Sequence, residues 1–497
     1  MGNYDLDLQS IQETRNLARQ GKIAAKLLAE YSAKQIDEIV QNMVNAALEN
    51  AARLATMAVE ETGFGIVEDK IYKNYAASKL LYEDIKDMKT VGIIGEDKDK
   101  QILEVAAPVG LIMGIVPSTN PTSTVIFKSI IAIKAGNPII FAPHPAATKC
   151  SIEAAQIMKN AAIAAGAPEG VIGCITKVTM AATNELMKCE EISLIIATGG
   201  PGMVKAAYSV GKPAIGVGAG NSPAYIEKTA DVKKAISTII ASKTFDNGTI
   251  CASEQSIICE EANKDMVISE LKKQGGYFMS EEETAKVCGV LFKNGHIMNA
   301  RLVGRKPQEI AVAAGFHISK DIKVLIGAQK GTGTDYPLSY EKLTTVLGFY
   351  VVKDWKAACE LSYELLKNGM GHTMSLHTND HDMVVKFAVK PASRILVNTG
   401  GSQGGTGIST GLPVSFTLGC GTCGGSSISE NISPLQLINV KKVAYGLKDC
   451  TQLATDDPEF LKLCKEKTLY KEPKINIPDT EKLTDLVKEI ILAMKNQ

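Results

Sequence analysis

From about Leu8 to Glu61 the apolar residues recur every three or four positions, with strong helix formers between them and no proline. That period predicts two or more amphipathic helices. Within Thr90–Ala107 the pattern changes, and the short apolar runs Val91-Gly-Ile-Ile94 and Gln101-Ile-Leu-Glu-Val105 flank the polar stretch Glu96-Asp-Lys-Asp-Lys100. This layout predicts a β-hairpin. Downstream, continuous apolar runs at Gly110–Val116, Pro138–Phe141, Val171–Ile175 and Ile192–Ala197 alternate with helical patterns over Ile126–Lys134, Ile152–Ala165, Ala181–Lys188 and after Gly202. Strands that are apolar on both faces must be covered on both sides, so the alternation predicts an open α/β sheet of mostly parallel strands. A second α/β region is expected from about Ala241, ending in the glycine-rich stretches Gly400–Gly407 and Gly419–Gly425. Glycine there permits sharp turns or close approach of backbone to a ligand.

The chain has 497 residues, and at roughly 100–200 residues per domain it can form two to four folding units. Its 54 basic and 54 acidic side chains are interspersed. No long-range field then exists to attract nucleic acid or an anionic membrane, and neither is expected as a partner. The apolar stretch Val105–Val116 is broken by Pro108, Gly110 and Gly114, and it is shorter than the roughly 18 residues of a membrane span. The first residues lack a basic-then-apolar leader layout, so a cytoplasmic location is expected. Eleven cysteines suit neither a disulfide framework nor a repeated metal-ligand pattern, and most are expected as reduced, buried thiols. The close pair Cys420 and Cys423 has no second pair or nearby histidine. Small residues packed in a glycine-rich turn are expected there in preference to zinc, and no metal site is expected.

Two places carry candidate chemistry. The strand Ile192–Ala197 runs into Thr198-Gly-Gly-Pro-Gly202 and then a helix. A glycine turn at a helix mouth offers backbone N–H groups and the positive dipole end to a phosphate, though the same glycines also suit a plain turn. Thr244–Gln255 sets Cys251 after a polar, glycine-containing loop and before an expected strand. A reactive cysteine needs partial exposure and local positive potential, which this setting can provide; a buried structural thiol is the alternative.

Taken together, Asp246-Asn-Gly-Thr-Ile-Cys-Ala-Ser-Glu-Gln255, Val116-Pro-Ser-Thr-Asn-Pro-Thr-Ser123, Pro143-His-Pro145, Gly371-His-Thr373 and Leu418-Gly-Cys-Gly-Thr-Cys-Gly-Gly425 resemble the CoA-acylating aldehyde dehydrogenases. The motifs stand in the family's order, and the resemblance runs over nearly the whole chain to about Gly446. It implies the α/β aldehyde dehydrogenase fold. A Rossmann-like NAD-binding domain is expected in residues 1–240, interrupted by the hairpin 90–107, and an α/β catalytic domain in 241–430. Residues 90–107 and 431–446 are expected as a β oligomerisation arm, giving a homodimer or tetramer. A lone hairpin is marginally stable, which makes a partner strand physically reasonable.

The resemblance also implies the chemistry. Cys251 attacks a short aliphatic aldehyde, hydride passes to NAD, and the acyl group leaves the cysteine thioester for coenzyme A. Acetaldehyde is the preferred substrate, with propionaldehyde and sulfoacetaldehyde open, since one methylene is worth only about 1–3 kcal/mol. Asn120 is the candidate oxyanion donor. An ungapped overlay of the hydrolytic relatives' Pro-aromatic-Asn-aromatic-Pro on Pro117–Pro121 instead selects Thr119, and a turn-forming role for Asn120 before Pro121 is a third option. In Ile215-Gly-Val-Gly-Ala-Gly-Asn-Ser-Pro223, Val217 stands where hydrolytic relatives carry the glutamate that activates water. Losing a general base costs water attack about 10²–10⁴ in rate, while a thiol needs less help.

For the nucleotide, the resemblance implies Pro117, Ser118, Thr119, Thr198, Gly199, Gly200, Gly202 and Gly218 as cofactor contacts, and Glu341 as the residue on the nicotinamide ribose. His144, in Phe141-Ala-Pro-His-Pro145, is expected near nucleotide or as a surface loop cap. His372 is expected to assist proton transfer or orient CoA, or else to be a satisfied structural histidine. The Gly400–Gly407 loop is expected to wall the substrate funnel.

After the family core, 447–478 reads as a C-terminal region with an extended linker, Tyr470-Lys-Glu-Pro-Lys-Ile-Asn-Ile-Pro478. Asp479 or Thr480 can then cap a helix over 479–497 with Leu483, Leu486, Val487, Ile490, Ile491 and Met494 on one stripe. It is similar to the peptides that address enzymes to bacterial microcompartment shell proteins; docking on its own subunit is the alternative. A phosphorylating relative of the glutamyl-phosphate reductase type and a catalytically idle homologue are the rival readings.

Overall fold

In the computed structural model, which describes residues 5–451, 457–467, 485 and 487–489, the N-terminal periodicity resolves into three helices, Leu6–Leu28, Ala33–Glu49 and Ala51–Thr62. Ser32 and Gln35 close a reciprocal capping box on the second, and Gly63 ends the third in the left-handed region at φ 68°. The second helix buries Ile36, Ile39, Val40, Met43, Val44 and Ala47, the stripe its period predicts.

The chain forms two compact units, one from the residues up to Gly95 together with Glu104–Lys442, and one from Glu96–Leu103 with the residues after Lys442. The expected hairpin is present as β1 (Gly92–Asp97) and β2 (Ile102–Pro108). The first unit then carries β3 (Leu111–Ile115), β4 (Ile139–Ala142), β5 (Ile172–Cys174), β6 (Ile192–Thr198) and β7 (Ala214–Val217) in one parallel sheet of order β5-β4-β3-β6-β7. A second sheet holds β8 (Ser222–Ile226), β9 (Glu254–Glu260), β10 (Gly276–Phe278), β13 (Val324–Ala328), β14 (Val346–Val352), β15 (Gly371–His377) and β16 (Ala392–Val397), with β11 (Phe292–Lys293) and β12 (Ile297–Met298) as a small hairpin beside it. Its order is β10-β13-β14-β9-β8-β15-β16, again parallel throughout. β17 (Ile438–Ala444) follows β2 in a three-stranded sheet of order β1-β2-β17.

The change of sheet falls between Val217 and Ser222, about twenty residues before the expected boundary at 240. The run Gly216–Gly220 has three glycines in five residues, which lets the backbone leave one sheet for the other; periodicity alone assigns β8 to neither. Helix Pro121–Lys134 is buried at every residue, lying between the first sheet and the N-terminal helices. Its Lys128 survives burial by donating to the carbonyls of Ile115 and Ile196, at 2.7 and 3.0 Å.

In the second unit, the Tyr445 N–H donates to the Gln101 carbonyl at 3.1 Å, and Pro458–Lys467 forms a helix in the C-terminal region, ahead of the expected linker, where no element was assigned. The stretch 470–478 and all of the expected tail helix 479–497 but for 485 and 487–489 lie outside the described residues. Among the described residues, no helix is long and apolar enough to cross a membrane. All eleven cysteines are free, yet only four, Cys150, Cys189, Cys259 and Cys420, are buried, fewer than expected.

Candidate active site

Helix Val232–Thr244 stops at a tight turn, Phe245–Gly248, in which Asp246 and Asn247 take φ values of 49° and 51°. Left-handed backbone is costly for residues with a Cβ and persists only where its surroundings enforce it. Here the enforcement is polar. The buried Asp246 carboxylate accepts from the Ile66 N–H at 2.8 Å, the Thr249 hydroxyl at 2.7 Å, Lys70 at 2.8 Å and Lys73 at 2.5 Å. The Asn247 amide donates to the Gly304 carbonyl at 2.9 Å. Burial pushes the Asp246 carboxyl up, but the two ammonium groups outweigh it and leave it below its ordinary value. This turn delivers Cys251 to the entry of β9. Behind it, a Cβ on Gly220 would collide with the Cys251 carbonyl oxygen, so glycine is required there.

Cys251 opens onto a cavity of about 360 Å³. Pro117, Ser118, Thr119 and Asn120 reach it from the loop after β3, His144 from the loop after β4, Thr198, Gly199 and Gly200 from the end of β6, Gly218 from the loop after β7, and Glu341 from the loop before β14. In the first sheet the chain winds outward from β3 through β4 to β5 on one side and from β6 to β7 on the other. The cavity therefore lies at the carboxyl ends of the strands where the order reverses, the place at which doubly wound sheets hold ligands. Phe64, Ile250, Val303, Phe416 and Leu418 supply apolar wall.

Cys251 is partly exposed as expected, but positive potential does not prevail. Burial, with Glu341 and Cys420 adding to it, pushes the thiol up to about 12 against the opposing pull of Arg394. The raised value favours a neutral Cys251 thiol over a resting thiolate. Alkylation of Cys251 by iodoacetamide, followed by mass spectrometry, is expected to accelerate about tenfold per pH unit from about pH 7 to 10, because only the thiolate reacts; a plateau below pH 9 would contradict the raised value. Glu341 is pushed up to about 7 by burial, opposed by the Gly220 N–H at 3.0 Å and by Lys243 and Lys342.

A model of the aldehyde dehydrogenase family matches residues 7–283. The chain belongs to the aldehyde dehydrogenase family. It is 46% identical over 442 residues to the bifunctional aldehyde-alcohol dehydrogenase of Escherichia coli K12, covering 88% of this chain and 50% of that one. The chain thus spans about half the length of the aldehyde-alcohol dehydrogenases it matches. The succinate-semialdehyde dehydrogenase (acetylating) of Clostridium kluyveri is 38% identical over 439 residues, 88% of this chain and 96% of that one. The crystal structure of an acetylating aldehyde dehydrogenase from Geobacillus thermoglucosidasius superposes with a TM-score of 0.88 at 52% identity, covering 90% of this chain and 99% of that chain. The fold expected from the motifs is the fold found.

Within this aldehyde dehydrogenase, two expected site residues stand apart from the cavity wall. His372 is fully buried on β15, its Nδ1 2.9 Å from the Thr373 hydroxyl and its Nε2 without a hydrogen-bond partner. Burial and the nearby Arg394 push it down to about 3, which favours the neutral imidazole. Gly202 is exposed on the second residue of helix Pro201–Ser209. His144 lines the cavity, and its Nδ1 accepts from the Ala146 N–H at 3.1 Å as a loop cap would. Of the Gly400–Gly407 loop only Thr406 reaches the wall; Gly401 instead binds the buried Glu254 carboxylate at 2.6 Å.

Sequence reasoning missed Lys70 and Lys73, both buried, which hold the turn before Cys251. Spaced three apart on helix Val67–Tyr75, they look like any solvated helix face. Asn120 is held among them. Its Oδ1 accepts from Lys73 at 2.6 Å, and its Nδ2 donates to the Thr249 carbonyl at 2.9 Å and lies 3.3 Å from the Thr119 hydroxyl.

Proposed function

We propose that the protein is an NAD-dependent, CoA-acylating aldehyde dehydrogenase for short aliphatic aldehydes, acetaldehyde foremost. The observation that carries this is Val217, which lines the cavity and packs in the same apolar cluster as Cys251. A valine cannot take a proton from water, so the thioester on Cys251 is left for a nucleophile that ionises more readily, as the CoA thiol does. The five-stranded sheet is assigned to the nucleotide and the seven-stranded sheet to the nucleophile.

The residues present fit a dinucleotide. Helix Pro201–Ser209 begins at Gly200 with no side-chain cap; Pro201 has no N–H and the Met203 and Val204 N–H groups bond the Gly200 carbonyl, which leaves the Gly202 N–H and the positive end of the helix for a pyrophosphate. Gly200 and Gly218 line the cavity with open space where a Cβ would stand. Glu341 would accept from the nicotinamide ribose. Bound NAD supplies the hydride acceptor. Asn120 or Thr119 and the Cys251 N–H would face the oxyanion. Among the described residues no lysine or arginine lines the cavity, which favours acetaldehyde or propionaldehyde over sulfoacetaldehyde.

The arm formed by β1, β2 and β17, with Ile93 and Val440 exposed, would join a homodimer or tetramer. The enzyme would work in the cytoplasm, reaching microcompartment shell proteins through 479–497; unchanged co-assembly with shell proteins after deletion of that segment would end the shell-protein proposal. The deciding experiment is NADH formation at 340 nm from acetaldehyde and NAD. Turnover is expected with CoA, and only a single-turnover burst without it. Phosphate in place of CoA is expected to give no steady rate. Sustained CoA-independent turnover would overturn the proposal.

Val217→Glu is expected to create that missing activity. A carboxylate at this position would raise CoA-independent NADH formation about 100-fold over native, at some cost in stability because the site is only 2% exposed. An unchanged CoA-independent rate in a folded variant would mean that the missing base does not set the acyl acceptor.

A further inference from the structure

We infer that Lys73 is a positioning residue for catalysis, acting through Asn120 to fix and strengthen an amide donor beside Cys251; this rests on the acyl-transfer reading above. The Lys73 side chain is 1% exposed, and its ammonium donates to Asn120 Oδ1 at 2.6 Å, Asp246 Oδ2 at 2.5 Å and the Thr249 hydroxyl at 3.1 Å, with the Thr249 carbonyl farther away at 3.5 Å. An ammonium group can only donate, so it must face the oxygen of the Asn120 amide and never its nitrogen. The amide orientation follows, with Nδ2 turned towards the nucleophile loop, where it donates to the Thr249 carbonyl two residues before Cys251. The second Nδ2 proton has only the Thr119 hydroxyl, at 3.3 Å. That longer contact is the one easily exchanged for an oxyanion forming in the cavity that Asn120 and Cys251 share. A cation on Oδ1 also draws electron density from the amide, making Nδ2 a stronger donor.

Charge balance alone does not require this arrangement. Lys70 already pairs with Asp246 at 2.8 Å, and its other contact is the Thr119 carbonyl at 2.9 Å, with no bond to the Asn120 side chain. A second ammonium in the same buried site adds repulsion between the lysines. Contact with Asn120 is what distinguishes Lys73.

The test is a double-mutant cycle on the full-length enzyme, measuring kcat and KM for acetaldehyde with saturating NAD and CoA. Lys73→Met is expected to lower kcat about 100-fold with KM within about threefold, and Lys73→Arg to recover about tenfold of that loss. Asn120→Ala should lower kcat to a similar level, and adding Lys73→Met to it should cost less than about threefold more. If the Lys73→Met cost is undiminished in the Asn120→Ala background, or if Asn120→Ala leaves kcat unchanged, the inference is overturned. Should Lys73→Met fail to fold, the cycle is run with Lys73→Gln, which keeps a donor without the charge and is held to the same non-additivity. Failure of the acyl-transfer reading would appear separately, as native turnover that does not need CoA.

Discussion

Cys251→Ala is expected to abolish aldehyde-dependent NADH formation, leaving a rate at least about 10⁴-fold below native. The cavity offers other hydroxyls, those of Ser118, Thr119, Thr198, Thr249 and Thr406 among them, but each is a neutral oxygen with no strong base assigned to it. Oxygen is also the wrong element for the second half of the reaction. An acyl-cysteine can be displaced by another thiol, because thiolate is a competent leaving group, whereas an ester on serine holds its acyl group more firmly. Cys251→Ser is therefore expected to be nearly as inactive as the alanine variant. NADH formation at 340 nm measures the loss, and unfolding midpoints establish that both variants remain folded. More than about 1% of native CoA-dependent turnover in Cys251→Ala would move the nucleophile elsewhere.

Asp246→Ala is expected to be the most destabilising single change near the site, by about 3–5 kcal/mol, because it leaves two buried lysines without a counter-charge. It also removes the acceptor for the Ile66 N–H and the Thr249 hydroxyl. Of the polar contacts that enforce the left-handed turn, the Asn247 amide to the Gly304 carbonyl and the residue-246 N–H to Asp69 would remain, but the carboxylate contacts would be lost and the turn before Cys251 would loosen. Asp246→Asn retains an acceptor for Ile66 but not the charge, so a smaller loss is expected. The pH dependence follows from the carboxyl lying below its ordinary value in the folded protein. Its stabilising contribution is complete above the unfolded value of about 3.9 and disappears as pH falls through the lower folded value. Urea unfolding midpoints of native and Asp246→Ala protein should therefore differ most near neutral pH and converge in acid. Equal midpoints at neutral pH would show that the lysines are neutral or solvated and that the turn is supported by other contacts.

The residues that carry these expectations differ in how visible they were along the chain. Cys251, Glu341, Thr198 and Gly200 stand in local motifs whose neighbours are their structural context, and the structure brings all four to one wall. His372 stands in an equally recognisable triplet, yet β15 buries it behind that wall. A motif reports which residues are adjacent in sequence, not which face of a strand turns towards a ligand. Lys73 left no mark at all, since its counter-charge Asp246 lies 173 residues away.

The sequence by itself determined the order and type of the elements from the N-terminal helices to the helix after Gly202, because helical and strand periods are properties of neighbouring residues and survive without any knowledge of packing. It also determined the family, and its motifs singled out Cys251 as the candidate nucleophile. Tertiary structure alone decided where the chain changes sheet, that burial raises the Cys251 thiol, and that Lys70 and Lys73 are interior residues. Each of these depends on desolvation and on partners from distant segments, and both are set only when the two sheets and their covering helices close around the cavity.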